Sequence, residues 1–189
     1  PSRLTRTRSS VAMTPTRTIV LVVVALLGTG YLAFRVHSSR KDAMERGNYL
    51  YTLPKIGQAK NVIWEGTDLD GRRWIDLIPK HLLAREPNQT ERKIYFTSGS
   101  MLHITGADSI LGAHLGSNLR GLFMSEFQRT APGIWDYLRP IINRNPKGFA
   151  CVNYTSFGQC HAHKLRVANL DNPKWHTRKL TVADTRDNY

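Results

Sequence analysis

Gly116-Ser117-Asn118-Leu119-Arg120-Gly121-Leu122-Phe123-Met124-Ser125-Glu126-Phe127 decides the fold class. Leu122 to Met124 is a short apolar run fit for a strand buried on both faces, delivered by a Gly-rich turn and ending in a carboxylate. Open parallel sheets bind ligands beyond the C-terminal ends of their strands. Glu126 therefore stands where a nucleotide-hydrolysing α/β protein keeps its catalytic acid. Taken alone, the pattern better suits an edge-strand Glu that simply meets solvent.

The flanking segments supply the rest of such a sheet. Phe149-Ala150-Cys151-Val152-Asn153-Tyr154-Thr155 is a second compact apolar strand with a polar end, so two neighbouring parallel strands would offer Glu126 and Thr155 at one edge. Between them, Ile134, Leu138, Ile141 and Ile142 recur at helical spacing and predict a helix packed on the sheet despite Pro140. Lys93 to Thr97 and Met101 to Thr105, separated by Ser98-Gly99-Ser100, predict a β-hairpin. Asn48 to Leu53 alternates and stops at Pro54, which predicts a further strand. Ala59, Val62 and Ile63 then share one face of a helix over Gln58 to Glu65. Trp64 and Trp74 read as core fillers.

The N-terminal apolar run has two readings. Ile19 to Phe34 is sixteen residues without a charge, between Arg17 and Arg35 and behind a basic arm carrying Arg3, Arg6 and Arg8. A spanning helix needs roughly 17 to 25 residues, so tilt and snorkelling arginines make a single-pass membrane anchor one reading. The other is a strand over Thr18 to Val24, the turn Gly28-Thr29-Gly30, and a helix from Tyr31 to Glu45. That is the layout of a phosphate-binding loop, in which backbone N–H groups and a helix N-terminus face an anion. The loop is incomplete: no Lys follows Gly30, and no Ser or Thr stands where Mg²⁺ would take a hydroxyl.

Length and charge bound the function. A chain of 189 residues has room for one ordinary domain with a self-sufficient core. Twenty-seven Lys and Arg against fourteen Asp and Glu give a net charge of +13, which favours a polyanion, either nucleic acid or an acidic membrane surface. Arg72, Arg73, Lys164, Arg166, Lys174, Arg178 and Lys179 carry much of it in the C-terminal two-thirds, as a surface tracking a phosphate backbone would. Cys151 and Cys160 are too few for a secreted disulfide scaffold, and a reducing compartment is expected. Cys160-His161-Ala162-His163 lacks a second ligand pair at zinc-finger spacing and reads as a polar helix start. Asn88-Gln89-Thr90 and Asn153-Tyr154-Thr155 match the N-glycosylation pattern, which matters only if this part is lumenal; a strand here would bury Asn153. A chain that begins at Pro1 rather than Met is expected to be a piece of something longer.

In order, these segments resemble the ATPase domain of the large terminase subunit of tailed bacteriophages, the motor that packages viral DNA. Arg46-Gly47-Asn48-Tyr49-Leu50-Tyr51-Thr52-Leu53-Pro54 with Gln58-Ala59-Lys60 is similar to the family's strand, proline and Gln-Ala-Lys helix. Ser98-Gly99-Ser100 through Gly106-Ala107-Asp108 resembles its Gly-Ser hairpin. Gly116 to Phe127 resembles its Walker B segment, in which Ser-Glu is a frequent variant of Asp-Glu. Trp135 to Pro140 and Tyr154-Thr155-Ser156-Phe157-Gly158 resemble the next helix and the coupling motif, with Ser156 in place of its proline. Lys179 to Thr185 resembles the closing strand.

The resemblance covers residues 17–187 and implies a P-loop NTPase-like, three-layer α/β sandwich with a mostly parallel central sheet. Residues 1–16 would be a disordered basic arm, and the family's C-terminal nuclease domain is absent. It implies ATP and Mg²⁺ as cofactors, with double-stranded DNA, a portal protein, a small terminase subunit and further copies of the chain as partners, in the host cytoplasm. Glu126 would activate the attacking water, Ser125 would hold Mg²⁺ through a water, and Thr155 would couple the γ-phosphate to movement. Gly28, Thr29 and Gly30 match the remains of Walker A, and the missing Lys weakens the expectation of turnover. The alternative is a signal-anchored membrane protein with a non-enzymatic binding domain.

Overall fold

The computed structural model describes residues 22–26, 31–35, 46–110, 118–156, 158–177 and 179. Among the described residues seven strands form two sheets. The strands β1 (Val22–Leu26) and β2 (Tyr31–Arg35) pair with each other, antiparallel, with Leu26 opposite Tyr31, and among the described residues with no other strand. The other five, β3 (Asn48–Leu53), β4 (Lys93–Tyr95), β5 (Met101–Gly106), β6 (Leu119–Met124) and β7 (Phe149–Val152), form the central sheet in the order β4-β5-β3-β6-β7. Every neighbour in it is parallel except β4 and β5, the predicted hairpin.

Two apolar layers enclose this sheet, so β6 reads as an unbroken hydrophobic run from Leu122 to Met124, and β3, whose sequence alternates, is nevertheless buried on both faces from Tyr49 to Leu53. On one face Tyr49, Tyr51, Leu53, Ile104 and Phe123 meet Ala59, Ile63, Trp64, Trp74 and Ile75. Those last residues follow β3 in a short helix α1 (Ile56–Ala59), a π-helical turn (Lys60–Trp64) and a 3₁₀ turn (Trp74–Leu77). On the opposite face Leu50, Leu122 and Met124 pack against α2 (Ile134–Asn143) and α3 (His161–Val167). Trp64 and Trp74 are core residues, as predicted. Pro140 sits inside α2 on its exposed side, away from the sheet. The α/β class, three layers and mostly parallel sheet agree with the sequence reading.

The N-terminal reading needs correction. Tyr31 to Arg35 is a strand, not the start of a helix, and Val22–Leu26 lies in the separate hairpin rather than beside β6 and β7 in one layer. Five residues drawn from Tyr, Leu, Ala, Phe and Arg fit either state, and cross-strand pairing with the β-branched Val22-Val23-Val24 decides for β. The same pairing replaces the single helix that a membrane span over Ile19 to Phe34 requires. Among the described residues no helix is long and apolar enough to cross a membrane. Gly28, Thr29 and Gly30, residues 1–16, and the closing strand beyond Lys179 lie outside the described residues.

Candidate functional site at the strand ends

The site is built where β3, β6 and β7 stop. The Ser125 N–H donates to the Thr52 carbonyl (2.9 Å), which extends the β3–β6 pairing by one step. The chain then turns sharply at Glu126, whose φ of 51° and ψ of 42° lie in the left-handed region. A non-glycine residue there costs about 1–3 kcal/mol and persists only when its surroundings hold it. Here they do. The Glu126 N–H donates to Asn153 Oδ1 (3.1 Å), the Phe127 N–H to the Asn153 carbonyl (3.0 Å), and the Asn153 N–H to the Met124 carbonyl (2.9 Å). One residue beyond β7 thus brackets the turn that carries the carboxylate.

Phe127 anchors the turn from below. Its ring is buried and meets the His161 ring edge-on, with centroids 4.8 Å apart. His161 Nε2 donates to the Phe127 carbonyl (2.9 Å), which fixes the Nε2–H tautomer, and the Thr130 hydroxyl donates to the same oxygen (2.8 Å). The Cys160 to His163 segment does open α3, as its sequence suggested, and among the described residues no cluster of His, Cys, Asp or Glu is built to hold a metal.

The Glu126 side chain is 16% exposed, enough to face a ligand from one side. Its Oε2 accepts from Gln58 Nε2 (3.3 Å), on α1, and lies 3.7 Å from Arg129 Nε. Thr155 is exposed three residues beyond β7, which stops at Val152 rather than running on to Thr155, and its N–H donates to Gln128 Oε1 (3.3 Å), in the 3₁₀ turn that follows Glu126. Glu126 and Thr155 are therefore brought to one edge by adjacent parallel strands, as predicted. Ser125 differs: it is only 3% exposed. It lines a small cavity of about 10 Å³ with Tyr51, Phe123, Met124, Cys151 and Asn153.

Hydroxyl groups without partners gather under this edge. Neither Tyr51 Oη nor Thr52 Oγ1 has a hydrogen-bond partner, although both are buried at the end of β3. Burial pushes the Tyr51 pKa up to about 12; the Ser125 side chain opposes that rise, without meeting hydrogen-bonding geometry, and the Glu126 charge adds to it.

This fold has a counterpart among solved structures. The chain is similar in fold to a phage large terminase. The structure of the large terminase from a thermophilic bacteriophage superposes with a TM-score of 0.59 at 14% identity, over 78% of this chain and 36% of that one. The ATPase domain of a Thermus phage large terminase gives 0.45 at 13% identity, over 62% and 51%. The chain thus spans about a third of the length of the first terminase and half of the second. No protein-family model and no curated protein sequence matches it.

Sequence reasoning placed Glu126 and Thr155 but missed their supports. Gln58 entered as part of a helix, Asn153 as a strand residue and a glycosylation pattern, and His161 as a helix start without a metal-binding partner pair. Asn153 is half-buried rather than buried, and its carboxamide is engaged by the Glu126 backbone. These supports act across 68, 27 and 34 residues, so no local spacing announces them.

Proposed function

We propose that this chain is the ATPase portion of a viral DNA-packaging large terminase, working in the host cytoplasm on double-stranded DNA. The observation that carries the reading is Glu126, held in a left-handed turn at the end of β6 and beside the end of β7, on a sheet similar to a terminase's. Such a carboxylate, half-buried and fixed by its backbone, is suited to orient a water and accept its proton at Oε1 or Oε2.

The donor set fits a magnesium nucleotide on the hydrolytic side: a carboxylate at Glu126, a hydroxyl at Ser125 and another at Thr155. When bound, ATP with Mg²⁺ supplies the phosphoanhydride and part of the charge neutralisation. Glu126 would hold the water, and Ser125 would reach the ion only through another water, since its own hydroxyl is buried. Thr155 would sense the terminal phosphate, joined to Glu126 through Gln128 and Asn153. Exposed cations such as Arg129, Arg139 and Lys164 suit a DNA backbone, with a portal protein, a small terminase subunit and further copies of the chain completing the motor.

The test is phosphate release from Mg-ATP, with and without duplex DNA. The parent chain should turn over, and Glu126→Gln should lower kcat by about 100-fold or more while leaving nucleotide binding in place. Hydrolysis unchanged by Glu126→Gln sinks the assignment. A second reading, a nucleotide-binding domain without turnover, is favoured by the absent Lys after Gly30. Binding of a fluorescent ATP analogue without phosphate release would select it.

A further inference from the structure

Gln58 has no role in anything above except as a neighbour, yet it is the best-founded side-chain contact that Glu126 makes. It sits on α1, half-buried, with its carboxamide Nε2 3.3 Å from Glu126 Oε2 across 68 residues of sequence. The other contact to that oxygen, Arg129 Nε at 3.7 Å, comes from a side chain that is 71% exposed, where ion pairs are screened and contribute little. Gln58 is different because its helix cannot drift. The Ile56 N–H donates to Asp108 Oδ1 (3.0 Å), which fixes the first residue of α1 to the turn after β5. Gly106, at the end of β5, passes so close that an added Cβ would lie 2.0 Å from the Ile56 nitrogen. At its other end α1 runs into the π-helical turn, whose Ile63 and Trp64 are core residues. A turn of this kind inside a helix often marks a functional position.

We propose that Gln58 is a positioning residue for Glu126. The amide holds Oε2 on the α1 side, which sets the side-chain rotamer and turns Oε1 towards the strand ends, where a water would be activated. A neutral donor suits this position, because it orients the carboxylate without the full charge that would make it a poorer proton acceptor. This role rests on the reading of Glu126 as the water-activating group, and it adds a dependence of that group on α1.

Three variants of the full chain test it. Gln58→Ala should lower kcat for Mg-ATP hydrolysis about 10-fold, with KM and the affinity for a fluorescent ATP analogue unchanged within about 2-fold. Gln58→Glu keeps the length and volume but replaces the donor by an acceptor, and should lower kcat at least as far. Gln58→Glu with parent-like kcat would reduce the residue to packing and overturn the proposal. An activity-free measurement stands beside these. The side-chain amide protons of Gln58, followed by NMR without nucleotide, should shift in Glu126→Ala; unmoved resonances would overturn the contact itself. A parent chain that hydrolyses ATP while Gln58→Ala behaves identically rejects this role alone. A parent chain that never hydrolyses ATP rejects the reading of Glu126, and this role with it.

Discussion

At one edge of the central sheet, β4 is finished by its own chain: Lys93 exchanges both backbone hydrogen bonds with Asn88, the Ala84 N–H donates to the Tyr95 carbonyl, and the Thr97 N–H to that of Leu82. At the other edge, β7 pairs with β6 and with nothing beyond it among the described residues. Ile94 at the centre of β4 is 1% exposed, whereas Phe149 at the start of β7 is 41% exposed. An antiparallel hairpin edge can be covered by a loop a few residues away in sequence. A parallel edge needs a crossover of a dozen residues or more to bring up its next strand. Among the described residues, the side left open is the one that carries the candidate site.

The sharpest way to break this comparison is to truncate both edges. Ile94→Ala should cost about 2–5 kcal/mol of unfolding free energy by denaturant titration, as an enclosed side chain does. Phe149→Ala removes a larger group but should cost only about 1 kcal/mol, because much of its ring already meets water. Equal losses would mean that β7 is covered. Amide hydrogen exchange resolves the same question atom by atom. The Asn153 N–H points to β6, so alternation directs the N–H groups of Ala150 and Val152 outward. These two should exchange on the order of 100-fold faster than Lys93 and Thr97, whose outward N–H groups are bonded. Slow exchange at Ala150 and Val152 would reveal a strand on that side.

The smallest effect comes from β3, which belongs to neither edge. Tyr51 is neutral when folded up to about pH 12 and ionises near pH 10 when unfolded, so its share of stability is complete below about pH 10 and lost as pH rises towards 12. Tyr51→Phe should flatten the fall in stability between those values. At neutral pH it should change stability by no more than about 1 kcal/mol, in the stabilising direction, since a buried hydroxyl without a partner is removed. A thermal melt series from pH 7 to 11 reads both.

Much of this architecture was legible in the sequence because its signals are local. Leu122-Phe123-Met124 and Phe149 to Val152 are apolar runs with polar ends, and Ile134, Leu138, Ile141 and Ile142 mark a helix face that the single Pro140 does not erase. Glu126 and Thr155 could be placed together because each follows a strand of one parallel pair. Tyr31 to Arg35 could not be read in the same way, since its residues carry no decisive propensity and its state depends on a partner strand. The supports of Glu126 were hidden for a related reason. A glutamine on α1, an asparagine after β7 and a histidine on α3 look like ordinary surface polar residues until the chain folds them onto one turn.

Asn153 has a mechanical consequence. It belongs to the strand on the unfinished flank, yet its amide and carbonyl grip the backbone on both sides of the acid. Sliding β7 along β6 by a single residue would withdraw that grip and release the left-handed turn, so the alignment of two strands and the aim of one side chain form a single degree of freedom. Any load applied at that flank, whether by an added strand or by a pulled polymer, reaches the Glu126 turn through Asn153 and through the bond from Thr155 to Gln128.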